Sequence, residues 1–265
     1  MSTNGSGLWV SVDGTSNKSF ALPLEIGSTR PLWVRRTRIE WTGLQRPISL
    51  LFASDLHLGT RWSSRVIDEL LAAARITIPD VIVLGGDLAD SRRGLQQLEQ
   101  CVRQLRAFGD VWGIAGNHDQ DLGLAIVRRA FESAGGRWLH DRCEHVVVEA
   151  AGVLRMDGRV DPDPPRVGAR MLCAHDPAVF PEASRAGYQL VLSGHLHGSQ
   201  CVFAERNGML YPGAWFFRWN GLQFLERGCL MLVSRGMADT LPLRWNCPRE
   251  VLLCELVCRP TSWEV

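Results

Sequence analysis

At 265 residues, with 46% hydrophobic and 22% charged side chains, the chain has apolar material for one large layered domain and lacks the composition of a disordered one. Its 29 basic and 28 acidic side chains leave a formal charge of +1, which excludes a global field for nucleic acid or an anionic membrane, so attraction to phosphate has to be local. No run approaches the roughly 18 apolar residues of a membrane span, Met1 to Gly7 carry no basic leader, and the eight cysteines form no CxxC pair; a reducing, cytoplasmic location is expected, in solution or peripheral to a membrane.

Residues 1–46 hold short apolar groups (Leu8 to Val10, Phe20 to Leu24, Trp33 to Val34) between Gly, Ser and Arg, and read as an arm or edge strand of the same domain. Ile48 to Ala53 is a continuous apolar run, the pattern of a strand buried on both faces. A helical period comes next at Val66, Ile67, Leu70, Leu71 and Ala74, with Ser63 or Ser64 expected as its N-cap. The same unit recurs as Val81 to Leu84 with Leu95, Leu98, Val102 and Leu105, and as Val111 to Ala115 with Leu122, Ala125, Ile126 and Phe131. Strands alternating with helices imply a parallel sheet covered by helices.

Beyond about residue 138 the helical period is lost. Strand-like runs take over at His145 to Glu149, Val153 to Met156, Met171 to Ala174, Leu190 to Ser193, Leu230 to Ser234 and Val251 to Val257. The two halves together read as an α/β fold of two packed sheets flanked by helices.

The residues just beyond these strands are chemically selective. Asp55-Leu56-His57 comes after the first, Gly86-Asp87 after the second, Gly116-Asn117-His118-Asp119 after the third; later strands end in His175 and in Gly194-His195-Leu196-His197-Gly198. Asp55 to Asp87 is 32 residues and Asp87 to Asn117 is 30, about one strand-helix unit each. Neighbouring strands would therefore present these groups side by side in the crevice at their carboxyl ends. Within Asp55/His57 and His195/His197, a separation of two on an extended backbone would put both side chains on one side.

The ordered series DxH, GD, GNHD, lone His and GHxH resembles the calcineurin-like metallophosphoesterase superfamily. The stretch Val191 to Gln200, with Val233-Ser234-Arg235-Gly236 and Pro242-Leu243-Arg244, is similar to its YkuE- and YaeI-like bacterial branch. The resemblance covers roughly residues 38–258 and implies a four-layer αββα sandwich of two mixed sheets flanked by helices, with residues 47–265 as the metallophosphoesterase domain. It further implies one divalent metal on Asp55, His57, Asp87 and His197 and a second on Asp87, Asn117, His175 and His195. With Asp87 shared, the ions would sit about 3.5 to 4 Å apart, and a bridging hydroxide would attack phosphorus in line with the leaving oxygen. Imidazole and carboxylate suit Mn, Fe, Zn or Ni better than Ca, with Mn preferred. By the same resemblance His118 donates to the phosphate or leaving group, and Asp90 orients it.

Four features stand outside the pattern. His140 and His145 match no block and read as structural. Arg61 and Trp62 read equally as substrate contacts or as an exposed loop. Arg235 and Arg244 are candidate phosphate clamps, although 28 arginines beside the single Lys18 also fit a GC-rich coding bias. Tyr211, Trp215, Phe216, Phe217 and Trp219 fit a core hairpin, or a surface that stacks a nucleobase, grips an acyl chain or meets a partner. The expected activity is hydrolysis of a phosphate diester or pyrophosphate on a small molecule or lipid head group. The alternatives are UDP-2,3-diacylglucosamine pyrophosphatase of lipid A synthesis, a nuclease (disfavoured by the charge balance), and a metal-poor protein-binding scaffold.

Overall fold

The structure is a computed structural model and describes residues 10–13, 24–27, 30–148, 151–161, 169–239 and 241–258. The apolar groups at 8–9 and 20–23, and Glu149, lie outside these. The first half contains β1 (Val10–Asp13), β2 (Leu24–Ile26), β3 (Trp33–Trp41), β4 (Ile48–Ala53), α1 (Ser63–Thr77), β5 (Val81–Gly85), α2 (Arg92–Leu105), β6 (Asp110–Ile114), α3 (Asn117–Ser133) and β7 (Arg137–Trp138). The second begins with β8 (Cys143–Val148), β9 (Gly152–Asp157), β10 (Arg170–Cys173), α4 (Phe180–Arg185) and β11 (Leu190–Ser193). It ends with β12 (Val202–Arg206), β13 (Met209–Pro212), β14 (Gln223–Glu226), β15 (Cys229–Val233), β16 (Leu243–Trp245) and β17 (Glu250–Cys258).

Two mixed sheets result. The first has the order β1-β3-β17-β4-β5-β6-β7, the second β14-β15-β11-β10-β9-β8. Strands β4 to β7 are parallel, as are β9, β10, β11 and β15. The C-terminal β17 inserts beside β4, antiparallel to it, and pairs in parallel with nine residues of β3. The N-terminal stretch therefore supplies an edge strand, β1, and an interior one, β3.

The period of two in β4 sets the layers. Leu50 and Phe52 enter the core between the sheets, with Val83, Leu154, Met171, Leu192 and Leu232. Leu51 and Ala53 point the other way, under Val66, Leu70, Leu98 and Val102 of α1 and α2. Each of these side chains is almost fully buried, contributing about 1.5–3 kcal/mol of transfer free energy for a Val, Leu or Phe. On the far face of the second sheet, Leu172, Val191 and Met231 pack under Phe180 and Ala183 of α4 and under Trp219. The expected α-β-β-α layering is present, with the outer layer over the second sheet built from the short α4 and irregular chain.

Helix starts are set by local chemistry, with one correction. Ser91 caps α2 by accepting from the Gly94 amide at 3.2 Å, whereas α1 has Trp62 at its cap position and no side-chain cap bond. Ser63 is instead buried, its hydroxyl accepting from the amides of Gly59 and Thr60. The serine serves the preceding ligand loop because that loop turns tightly over the helix start. No helix among the described residues is long and apolar enough to cross a membrane.

Candidate metal centre

The residues singled out after five strands converge at the carboxyl ends of both sheets. Backbone bonds continue the ladders past the strand ends and lock the loops: Asp55 and His57 amides donate to Gly86 and Asp87 carbonyls at 2.9 Å, and the Gly194 amide to His175 at 3.0 Å. Met237 and Ala238, beyond β15 of the second sheet, donate to Ser54 and Asp55 of the first. The site thus lies on the seam between the sheets.

The backbone at the two i, i+2 pairs is not extended, contrary to expectation. Asp55, His57, Asp87, His195 and His197 all adopt positive φ, between 44° and 72°. Non-glycine residues in this left-handed region store strain, of order 1–3 kcal/mol each, and persist where surrounding bonds over-determine them. Tight turns, not pleat alternation, aim these side chains. Glycines make room beside them: Gly86 has φ +91°, and a Cβ on Gly116 would lie 2.1 Å from Asp87 Oδ1.

Two ligand-like groups are built wholly from the residues expected to hold metal. In the first, Asp55, His57 and His197 each offer an atom within 4.8 Å of the others; Asp87, His175 and His195 form the second. Asp87 Oδ2 stands 3.9 Å from His57 Nε2 and 3.2 Å from His175 Nε2, so this carboxylate lies between the groups. Asp55 Oδ1 is 3.4 Å from His197 Nε2 and 3.9 Å from His175 Nε2. Asn117, in the first turn of α3, lines a cavity with His175 and His195.

Three imidazoles have their tautomers fixed by acceptors that cannot donate. His57 Nδ1 donates to Asp90 at 3.0 Å, His197 Nδ1 to Asp239 at 2.8 Å and His175 Nδ1 to the Gly85 carbonyl at 2.9 Å. In the neutral rings each Nε2 then carries a lone pair. Those of His57 and His197 face one another at 3.4 Å, and the buried His175 Nε2 faces Asp87 Oδ2 at 3.2 Å. Lone pairs and carboxylates turned toward common points, with carboxylates or a carbonyl behind the rings, fit divalent cations of the imidazole-binding type.

The electrostatics agree. Burial pushes the Asp87 carboxyl up, but the hydrogen bond and charge of His175 and the His118 amide outweigh it and hold Asp87 far below the usual carboxylate range. Burial lowers His175, and the hydrogen bond to Asp87 with the charges of Asp55 and Asp87 reverses this, lifting it to about 9. Burial lowers His57 too, and the hydrogen bond and charge of Asp90 reverse the effect, leaving it raised. His195 is lowered, by burial and by the neighbouring His175.

The Asp90–His118 contact is present, at 3.2 Å between Oδ1 and Nδ1. Asp90 is shared, however, because the same oxygen reaches His57 Nδ1 at 3.0 Å. Both rings sit edge to face, with centroids 4.7 Å apart. The His118 amide also donates to Asp87 Oδ1 at 2.9 Å. Asp119, fully buried, accepts from Leu88, Ala89 and Gly116 amides and ties the Asp87 loop to the start of α3.

Sequence reasoning missed Asp239 and misplaced the arginines. Arg244 is not a phosphate clamp: it is buried and held by both Asp239 oxygens at 2.6 and 2.7 Å, behind His197. Arg235 is likewise spent on the buried Glu250. Asp239 lies 42 residues beyond His197 and belongs to none of the five blocks, so nothing in the local pattern flags it. Of the aromatic segment, Tyr211 lies in β13, paired with β12 in a hairpin, and Trp219 packs on Phe180 and Phe224, while Trp215, Phe216 and Phe217 are exposed at the 3-10 turn between them. Arg61 stacks on Trp62 with its guanidinium 4.6 Å from the ring centroid.

A family model described as calcineurin-like phosphoesterase matches residues 48–199. Similar curated proteins include phosphodiesterase YaeI of Escherichia coli, 27% identical over 232 residues, covering 80% of this chain and 83% of that protein. A metallophosphoesterase of Aquifex aeolicus is 27% identical over 226 residues, covering 78% and 84%. Metallophosphoesterase Cj0846 of Campylobacter jejuni is 24% identical over 245 residues, covering 84% of this chain, which spans 63% of that protein's length.

Proposed function

Since the chain belongs to the calcineurin-like phosphoesterase family, we propose that it hydrolyses phosphate diester or pyrophosphate bonds with the aid of two divalent metal ions. The first would be held by Asp55, His57, Asp87 and His197, the second by Asp87, Asn117, His175 and His195. The observation that carries this reading is the placement of Asp87 Oδ2 within 4 Å of His57 Nε2 and His175 Nε2, in two groups of otherwise different members. Bound dications would polarise the phosphoryl oxygens and lower the pKa of a water toward neutrality. Mn is the preferred metal on the donor set, with Fe, Zn or Ni as competitors.

The chain's own groups supply the rest. Asp55, Asp87 and Asp90 put three carboxylates around the centre, so a phosphate ester approaches it only when cations offset them. Asp90 accepts a hydrogen bond from His118 Nδ1–H and so orients the ring; with both nitrogens carrying a proton, Nε2–H would donate to the leaving oxygen. His118 is partly open to solvent, with 36% of its side chain exposed, as a group that meets substrate must be. The substrate is a small molecule or lipid head group in the cytoplasm, and the name of the Escherichia coli relative, phosphodiesterase YaeI, is consistent with this. The balanced charge disfavours nucleic acid.

The test is a Mn-supplemented panel of monoesters, diesters and nucleotide sugars on the full chain, with metal content measured alongside. Two transition-metal ions per chain and turnover of diesters or nucleotide sugars are expected. Less than one ion per chain, with no hydrolysis of bis-p-nitrophenyl phosphate, would favour a binding scaffold instead.

A further inference from the structure

The cavity beside the second ligand group, about 270 Å³, is lined by a histidine to which the sequence assigns no role. His140 lies just past β7 at the end of the first sheet and bridges to Gly158 at the end of β9 in the second. It therefore sits where the sheets meet, and Asn117, Gln120, Asp176 and His195 line the same cavity. Its Nδ1 is 3.3 Å from the Ala115 amide. A backbone amide can only donate, so Nδ1 must be the acceptor and the ring proton lies on Nε2. Burial lowers the ring pKa, against the pull of Asp141, which favours this neutral form. Nε2 is 3.4 Å from Asp141 Oδ2, on a side chain that is 70% exposed, a surface carboxylate that substrate can displace.

We propose that His140 is a specificity-determining residue: its Nε2–H, with Gln120 and Asp176 of the same lining, holds the hydroxyl-bearing sugar ring next to the phosphate of a diester in this cavity while the ester is cut at the adjoining centre. This rests on the phosphoesterase reading and adds to it a substrate class. The volume is just under the roughly 300 Å³ at which drug-sized sites begin, room for one sugar ring. The lining sets apolar Ile114, Ala115 and Ala174 beside the polar groups of Asn117, Gln120, His140 and Asp176, so a sugar ring finds apolar side chains for its faces and hydrogen-bond partners for its hydroxyls. A contact to the non-reacting part of a substrate acts on binding equally before and during reaction, so it moves KM and leaves kcat.

Three esters with one leaving group separate the possibilities on Mn-loaded full-length protein: p-nitrophenyl phosphate, bis-p-nitrophenyl phosphate and thymidine 5′-(p-nitrophenyl phosphate). His140→Asn retains an oxygen near Nδ1 for the Ala115 amide and removes the Nε2 donor. It is expected to raise KM for the thymidine diester about 3- to 10-fold, the range of one net hydrogen bond, with kcat and both other substrates unchanged. His140→Gln, whose amide reaches near the Nε2 position, is expected to return KM toward wild type. Calorimetric titration with thymidine 5′-monophosphate reads the same loss in Kd without catalysis. Equal losses on all three esters would assign His140 to the Ala115 amide alone and overturn the proposal, as would no loss on any. If wild type cleaves none of the esters, the phosphoesterase reading fails, and the titration still decides His140.

Discussion

Replacing Asp239 perturbs two things at once, and the structure allows them to be separated. Its carboxylate accepts from His197 Nδ1 at 2.8 Å and clasps Arg244 through both oxygens. Burial pushes the Asp239 carboxyl up, but the charge of Arg244, with its hydrogen bonds and that of His197, outweighs burial and holds it at about 2. Arg244 is itself only 2% exposed. In Asp239→Ala a buried guanidinium loses its counter-charge, and breaking such a pair costs about 3–5 kcal/mol. His197 also loses the partner that fixes its tautomer, and losing such an outer partner weakens metal binding about 10- to 100-fold, or about 1.4–2.8 kcal/mol. Asp239→Asn with Arg244→Met removes the unpaired charge but leaves His197 facing an amide. Urea unfolding in EDTA should place the single Ala variant about 3–5 kcal/mol below wild type and bring the double variant back most of the way. Mn affinity, read by chelator competition, should stay about 10- to 100-fold weak in both. Wild-type Mn affinity in the double variant would refute the reasoning, because Asp239 would then act on the centre through fold stability alone.

Three further outcomes are expected. His118→Ala should keep its metal and lose about 10²- to 10⁴-fold in turnover, whereas Asp90→Asn should lose both, because Asp90 serves His57 and His118 together; metal content and kcat measured on the same samples check this. Gly116→Ala should reduce metal content and thermal stability together, since the new Cβ would lie 2.1 Å from Asp87 Oδ1 and 2.5 Å from the Asp87 backbone nitrogen; metal analysis with a melting curve reads both. The third concerns pH. Burial raises Glu250, but Arg235 and Arg35 outweigh it and hold the carboxyl at about 2 against an ordinary 4.5. A carboxyl depressed in the folded state stabilises above its unfolded pKa and loses that stabilisation as pH falls through the folded one. Stability should therefore drop between about pH 4.5 and 2, and Glu250→Gln, less stable at neutral pH, should show a flatter acid limb in urea unfolding.

The order of chemistry along this chain was legible before any fold. Ile48 to Ala53, Val81 to Leu84 and Val111 to Ala115 are continuous apolar runs because both faces of those strands are buried, and a polar residue placed after such a run has to emerge at the sheet's carboxyl edge. That is why Asp55, His57, Asp87, Asn117 and His118 could be named from spacing, and why the two-sheet layering could be expected. Sequence could not give backbone conformation at the turns: Asp55 and His195 look like strand continuations, yet both are left-handed, since hydrogen bonds from other loops hold them there. Nor could it distinguish free from committed charge. Arg244 and Arg235 have the composition of phosphate clamps and became buried partners of Asp239 and Glu250, because a guanidinium carried into a dry interior must find a carboxylate. His140 is the converse case, a histidine outside every motif that β7 and β9 bring to the cavity wall. Local pattern decides which residues stand at an edge; only the packing of two sheets, remote in sequence, decides which edges meet and which charges are left to face a substrate.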